Sequence, residues 1–218
     1  MENMTLSPIK MLADRTLKDV DAVAQTLEKQ LADVVEFLPA DSNKANLAIA
    51  IGGDGTLLKH SRELAEQGIP LVGVNSGRLG FLARFDTDSL IKHRHAVFTD
   101  SPKILKAMLL EIQVDNQTPI TVTNEAMIAA GAPFRILELG LSIDGVPAPT
   151  LHGDGVIVAT PTGSTAHNAS VGGPIVDPSS NAFILAPIAA HSLAVRPIVL
   201  DGKAKITIEI LQANEGTS

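Results

Sequence analysis

Apolar residues recur at helical spacing through Val20, Val23, Ala24, Leu27, Leu31 and Val34, with Lys18, Glu28 and Lys29 on the opposite side. That pattern predicts an amphipathic helix. Residues 47–51 form a short, continuously apolar run that ends on Gly52-Gly53, as expected of a parallel strand covered on both faces. A second helix is expected over residues 57–67, stopped by Gly68, and a further buried strand over residues 69–74. Ahead of the first helix the pattern shows at most a short strand. Helix and strand thus alternate through the first hundred residues, which predicts an α/β layer.

The texture changes around Thr99-Asp100-Ser101-Pro102. Residues 105–114, 120–123, 136–143, 156–159, 183–186 and 206–211 are strand-like, separated by turn signals such as Asp144-Gly145 and Asp201-Gly202. This half reads as mainly β, a sandwich with one short helix near residues 164–170. The expected organisation is an α/β domain over residues 1–100 and a β-sandwich domain over residues 101–218.

Composition narrows the chemistry. A chain of 218 residues with 45 % apolar content and 17 glycines fits a packed, loop-rich enzyme. The balance of 24 acidic against 17 basic residues gives −7, without a lysine–arginine cluster, so no nucleic-acid partner is expected. A polyanionic substrate must then be held locally, by backbone amides, a few basic side chains and a metal ion. The absence of cysteine excludes disulfides, zinc–thiolate sites and thiol nucleophiles. Residues 1–10 lack the apolar core of a signal peptide, and no apolar run approaches the roughly 20 residues of a membrane span. The expectation is a cytoplasmic protein without a membrane partner. With six Phe, no Trp and no Tyr, few rings are on hand for stacking on a base.

Several constellations carry candidate chemistry. Gly52-Gly53-Asp54-Gly55-Thr56 follows a buried strand and precedes a helix. Ligands of open α/β sheets bind beyond the carboxyl ends of the strands, and glycines there let backbone amides approach phosphate. A carboxylate inside such a loop suits magnesium ligation or taking a proton from a substrate hydroxyl; otherwise it is a tight Asp-Gly turn. Residues 75–82 supply flexible backbone, Arg78 and Phe81. Asn124-Glu125 at a strand end pairs an amide with a carboxylate, which together read hydroxyls and a base edge. His152-Gly153-Asp154-Gly155 precedes a buried strand, and that strand leads into the Ser- and Thr-rich residues 160–170 and then Gly172-Gly173-Pro174. Small polar residues at the mouth of a helix suit a ribose, base or phosphate. His191, beside Ser192, is read as a packing or hydrogen-bonding residue, and His93 and His95 as a solvated surface.

Taken in order over most of the chain, residues 52–56, 75–82, Asn124-Glu125, 154–174, Pro187 and 191–197 resemble the NAD kinases. Residues 52–56 alone are also similar to loops of diacylglycerol kinases, sphingoid lipid kinases and phosphofructokinases; residues 160–174 together with Asn124-Glu125 are what single out NAD kinases. The resemblance implies an N-terminal α/β domain and a C-terminal β-sandwich with the site in the cleft between them, and a homodimer or homotetramer. It implies that the γ-phosphoryl group of ATP passes, with Mg²⁺, to the 2′-hydroxyl of the adenosine ribose of NAD, with Asp54 as catalytic base. Gly55 approaches NAD, and Asn124 and Glu125 hold it. Arg135 and His152 fall where the family often places contacts to the dinucleotide, Asp154 orients the nucleotide, and Thr162, Thr165, Ala166, His167, Asn168, Ala169 and Ser170 surround its pocket. Lys59 is a lesser candidate for a phosphate contact. No side-chain ligands are assigned to the metal.

The sequence departs from the family pattern in places. His167 stands where the family usually has tyrosine, and an imidazole titrates near neutrality. The family normally continues with further strands beyond the position of Leu211, so the sandwich is expected to be C-terminally shortened, with an unpaired edge. Two other readings stay open here: a lipid kinase with the same loop, which would need an apolar acceptor channel, and an inactive relative that binds NAD or another nucleotide.

Overall fold

The first sheet is built around a strand that the hydrophobic pattern hardly shows. In the computed structural model, which describes residues 6–77, 82–99, 102, 104–131, 136–192 and 195–212, the chain divides into two compact units, Met1–Ile104 and Leu105–Ser218. In the first, β1 (Ser7–Ala13) lies between β2 (Val35–Leu38) and β3 (Leu47–Ile51), with β4 (Leu71–Val74) beyond β3. All the pairings are parallel. What hides β1 is Lys10, a charge in the middle of the strand that is nevertheless only 2 % exposed. Its ammonium donates to the Ser42 carbonyl at 3.1 Å and to Gln67 Oε1 at 2.9 Å, so the buried donors find partners while the stem packs as an apolar chain.

Helix α1 (Lys18–Leu31) turns Val20, Ala24, Leu27 and Leu31 inward, as its spacing requires. With α3 (Thr87–Lys92) and α4 (Arg94–Phe98) it covers one sheet face, where Ile9, Ile49, Ile51, Val74, Leu90 and Phe98 form the main core. Helix α2 (Asp54–Glu66) is on the other face, with Leu64 against Ala48, Ile69, Leu12 and Leu71. Covered on both sides, β3 is buried at every position, which is why it reads as an unbroken apolar run.

Helix α2 begins at Asp54, three positions before the expected start at 57, because the extended Gly53 caps it and its carbonyl accepts from Thr56 N and Leu57 N. Its end is as expected. Gly68 is left-handed at φ +68, Gly68 N bonds Ala65 O and Ile69 N bonds Leu64 O, a Schellman closure. That use of Ile69 N, and the missing N–H of Pro70, delay β4 to Leu71.

The second unit contains the antiparallel sheet β12-β11-β10-β7, the sheet β13-β8-β9 and the hairpin β5-β6. These are β5 (Leu110–Ile112), β6 (Ile120–Val122), β7 (Glu125–Ala129), β8 (Leu137–Ile143), β9 (Val146–Gly153), β10 (Gly155–Ala159), β11 (Ala182–Ile188), β12 (Ile198–Asp201) and β13 (Ile206–Gln212). Leu137, Leu139, Leu151, Val156, Val158, Phe183 and Leu185 form the core of this unit. The other face of β10 and β11 packs Ile157, Ala159, Ile184 and Ala186 under Val171 and Val176.

The expected strand over 105–114 shrinks to Leu110–Ile112, and β7, β9 and β12 were not anticipated. Strand β9 carries Pro147 and Pro149, which an edge strand tolerates because its outward N–H groups need no ladder partner. Asn124 precedes β7 and Glu125 opens it, so this pair begins a strand instead of ending one. The expected helix over 164–170 is a 3₁₀ turn, Thr162–Thr165, followed by α5 (His167–Ser170). Among the described residues no helix is long and apolar enough to cross a membrane.

His60, half-buried in α2, has a buried Nδ1 with no hydrogen-bond partner among the described residues. Burial, helped by the Lys59 charge, lowers its pKa below the usual 6.5. The unfolded chain therefore takes up a proton as the pH falls through 6.5 before the folded chain does, and stability drops. The carboxylates held low, Asp14 and Asp86, start from 3.8 and act only in more acid solution. We expect the urea midpoint to decline between neutrality and mildly acid pH, and His60→Phe to flatten that decline; equal slopes would assign it to other groups.

Candidate functional site

In the first unit the strand order β2-β1-β3-β4 reverses direction between β1 and β3, which makes their carboxyl ends the switch point where open α/β sheets bind ligands. Ala13 and Ile51 are paired there, so Asp14 and Gly52 leave the sheet side by side. Gly52 sits at φ +155, and a Cβ on it would lie 2.7 Å from Thr56 Oγ1. Built Cβ atoms on Gly53 and Gly55 would meet nothing within 4 Å, so this backbone faces open space.

Asp54 occupies the first turn of α2, where the helix dipole favours a negative charge. Its Oδ1 accepts from Leu82 N at 3.1 Å, which ties the loop after β3 to the loop after β4. The latter is closed by Asn75 N to Phe85 O at 2.9 Å and begins with an Asn75 turn, Gly77 N to Asn75 Oδ1 at 2.9 Å. Arg78 and Phe81 lie outside the described residues. Lys59 is exposed, and its charge helps, as the smallest contribution, to hold Asp14 below the usual carboxylate range; the hydrogen bonds from the Thr16 side chain and backbone are the main cause.

In the second unit, pairing of Glu125 with Ala159 sets the start of β7 against the end of β10. The chain beyond β10 then folds onto residues 123–125. Thr160 N donates to Asn124 O at 2.8 Å and Thr160 Oγ1 to Thr123 O at 2.6 Å. Gly163 is thereby pressed on the Asn124 backbone, and His167, which follows the turn holding Thr162, Thr165 and Ala166, reaches Glu125. Glu125 Oε1 lies 2.7 Å from His167 Nδ1. Asn124 Oδ1 and Glu125 Oε2 are buried without a hydrogen-bond partner among the described residues.

Asn168 is fully buried, and its amide donates to Ser164 O and Pro174 O, both at 3.0 Å. It fastens the turn it belongs to. Ser164, which the sequence analysis did not single out, is also fully buried; its hydroxyl bonds Pro161 O at 2.6 Å and takes Val176 N at 3.1 Å. Ala169 and Ser170 are exposed.

The structure does not join His152 and Asp154 to that group. Both precede β10, whereas Glu125 pairs at its far end, about 13 Å along the strand at 3.3 Å per residue. Asp154 sits where the chain passes from one sheet to the other, fixed by Asp154 N to Ile188 O at 2.9 Å. His152 lines a cavity of about 320 Å³ with Ile136, Thr150, His191, Ser192 and Val195. His191, expected to pack or to hydrogen-bond, is exposed there, and its backbone N donates to His152 O at 2.9 Å. Its signal was the proximity of a second histidine, which sequence distance conceals. Arg135 lies outside the described residues.

Chemically, the first unit offers an anchored carboxylate amid open backbone. The second offers buried acceptors that call for donors. Among the described residues no three His, Asp or Glu side chains gather to hold a metal ion.

Residues 3–101 match the family model for the ATP-NAD kinase N-terminal domain, and residues 123–217 that for the ATP-NAD kinase C-terminal domain. An NAD kinase of Rhodopirellula baltica is 36 % identical over 217 residues, 97 % of this chain and 70 % of that protein. One of Methylococcus capsulatus is 41 % identical over 178 residues, 78 % of this chain and 60 % of that protein. One of Clostridium botulinum is 38 % identical over 178 residues, 80 % of this chain and 63 % of that protein. The aligned regions thus span 60 to 70 % of the length of these curated relatives. Among solved structures, an NAD kinase from Archaeoglobus fulgidus in complex with ATP superposes with a TM-score of 0.71 at 26 % identity, covering 94 % of this chain and 80 % of that one. Yeast NADH kinase complexed with NADH gives 0.76 at 22 % identity, covering 100 % and 71 %, and supports the fold alone. With both domain models matched in order and a relative of this identity along nearly its whole length, the chain belongs to the ATP-NAD kinase family.

Proposed function

We propose that the chain transfers the γ-phosphoryl group of ATP to the 2′-hydroxyl of the adenosine ribose of NAD, giving NADP and ADP. The observation that carries the mechanism is Asp54, a carboxylate held by Leu82 N at the switch point of the sheet, on a glycine loop open to its surroundings. Asp54 takes the proton of the hydroxyl as the oxygen bonds to the γ-phosphorus, and the bond from that phosphorus to the bridging oxygen breaks to release ADP. A base placed on a weakly acidic sugar hydroxyl and backbone amides near phosphate are the parts that phosphoryl transfer needs. Asn124 and Glu125 hold the dinucleotide through their buried acceptors. Mg²⁺ enters as part of the substrate, MgATP, and would keep several of its waters.

The same reading includes work in the cytoplasm and assembly into a homodimer or homotetramer. Support for assembly comes from strands of the second unit that leave apolar side chains exposed, among them Met127 54 %, Val199 52 %, Ile210 53 % and Leu211 49 %. Light scattering of the purified chain should give a dimer or tetramer mass, and a monomer at micromolar concentration would remove this part.

Incubated with NAD and MgATP, the chain should form NADP in a coupled dehydrogenase assay. Asp54→Asn should lower kcat by about 10²–10⁴-fold, the usual value of a positioned base, while NAD still binds. Unchanged turnover would take Asp54 out of the mechanism. Saturable NAD binding without product at any metal concentration would favour a binding protein over a kinase.

A further inference from the structure

Glu125 and His167 form a contact whose two sides differ sharply. The Glu125 side chain is 10 % exposed and that of His167 is 70 % exposed. A carboxylate accepts, so the 2.7 Å contact is satisfied by the imidazole with a proton on Nδ1. The other carboxylate oxygen, Oε2, is buried and has no partner among the described residues. Such an oxygen is costly to leave dry, and a glutamate with three free torsions would swing it toward water unless something held it.

What holds it is itself fixed. His167 opens α5 directly after Ala166, whose backbone is kinked (φ −92, ψ −132) and whose N bonds Gly163 O at 2.9 Å. Residues 160–163 are locked to residues 123–124 by the Thr160 bonds, and Gly163 N bonds Thr160 Oγ1 at 3.1 Å. The imidazole therefore stands on the same rigid piece of backbone as the carboxylate it meets.

We propose that His167 is a positioning residue: its Nδ1–H pins Oε1 of Glu125 so that Oε2 stays turned toward the bound dinucleotide and accepts a hydrogen bond from one of its hydroxyl or amino groups. This rests on the NAD kinase reading above and adds to it the group that fixes the acceptor. The contribution is to NAD binding and not to the phosphoryl-transfer step, because the imidazole acts only through Glu125. A ring at this position that lacked the donor would leave the carboxylate free to turn.

The test is steady-state kinetics of the whole chain with His167→Ala, His167→Phe and His167→Asn, whose amide nitrogen falls near the place of Nδ1. Ala and Phe should raise the KM for NAD about tenfold, the size of one charge-assisted hydrogen bond, with kcat and the KM for ATP moving far less. Asn should bring the KM for NAD back to within about threefold of the unaltered chain. Because the side chain is exposed, thermal unfolding should be unchanged in all three. An unmoved KM in His167→Ala, with the unaltered chain active, overturns the proposal alone. So does recovery by Phe and not Asn, which would make the ring a stacking surface. Absence of NADP formation and of NAD binding in the unaltered chain overturns the kinase reading, and this proposal with it.

Discussion

Both units depend on backbone passing too close for a side chain. A Cβ at position 163 would lie 2.2 Å from the Asn124 carbonyl oxygen, and one at position 155 would lie 2.1 Å from that of Ile128. Between these crowded points runs β10, buried at all of its positions, so the turn after it is pressed against residues 123–125. In the first unit Gly52 has the same part, meeting Thr56 at 2.7 Å. Without that close approach the chain would not leave β3 tightly enough for Asp54 to enter the first turn of α2 and receive Leu82 N. The glycines specify distances, and the distances specify which polar atoms face one another.

Much of this was legible in the sequence, and the reasons for the rest are physical. Strand β3 and helix α1 announce themselves because their burial follows a single rule, total for one and one-sided for the other. Strand β1 does not, because Lys10 places a charge where a buried strand should be apolar; only its two acceptors, 32 and 57 residues away, make that burial tolerable. Strand β9 contains two prolines and is identifiable as a strand only once it is known to lie at a sheet edge. Such facts depend on distant partners, which local patterns do not contain.

The same holds for the site. Asp54, Asn124 and Glu125 stand out by their motifs, and the turn over 160–170 by its small polar residues. Within that turn the motif does not separate the residues that hold the loop from those that face outward. Asn168 and Ser164 are fully buried in its internal hydrogen bonds, whereas His167 is exposed and reaches Glu125. Nor does the motif show that His152 and Asp154, close in sequence to residues 160–170, are separated from them by the length of β10.

An acidic chain of a family named for ATP and NAD presents an apparent contradiction, and the proposed sorting of polar groups resolves it. The side chains proposed to act on the substrates present acceptors: the Asp54 carboxylate, Asn124 Oδ1 and Glu125 Oε2. Acceptors repel phosphate oxygens but match the hydroxyls of a sugar and the amino group of a base, which are donors. Phosphate then falls to the backbone amides of the glycine loop, whose exposed face over Gly53 and Gly55 is open and whose helix terminus carries partial positive charge. Because backbone amides supply that attraction without adding a formal charge, a net charge of −7 is compatible with the substrates, and selectivity for the sugar can rest on carboxylates that a basic site would neutralise.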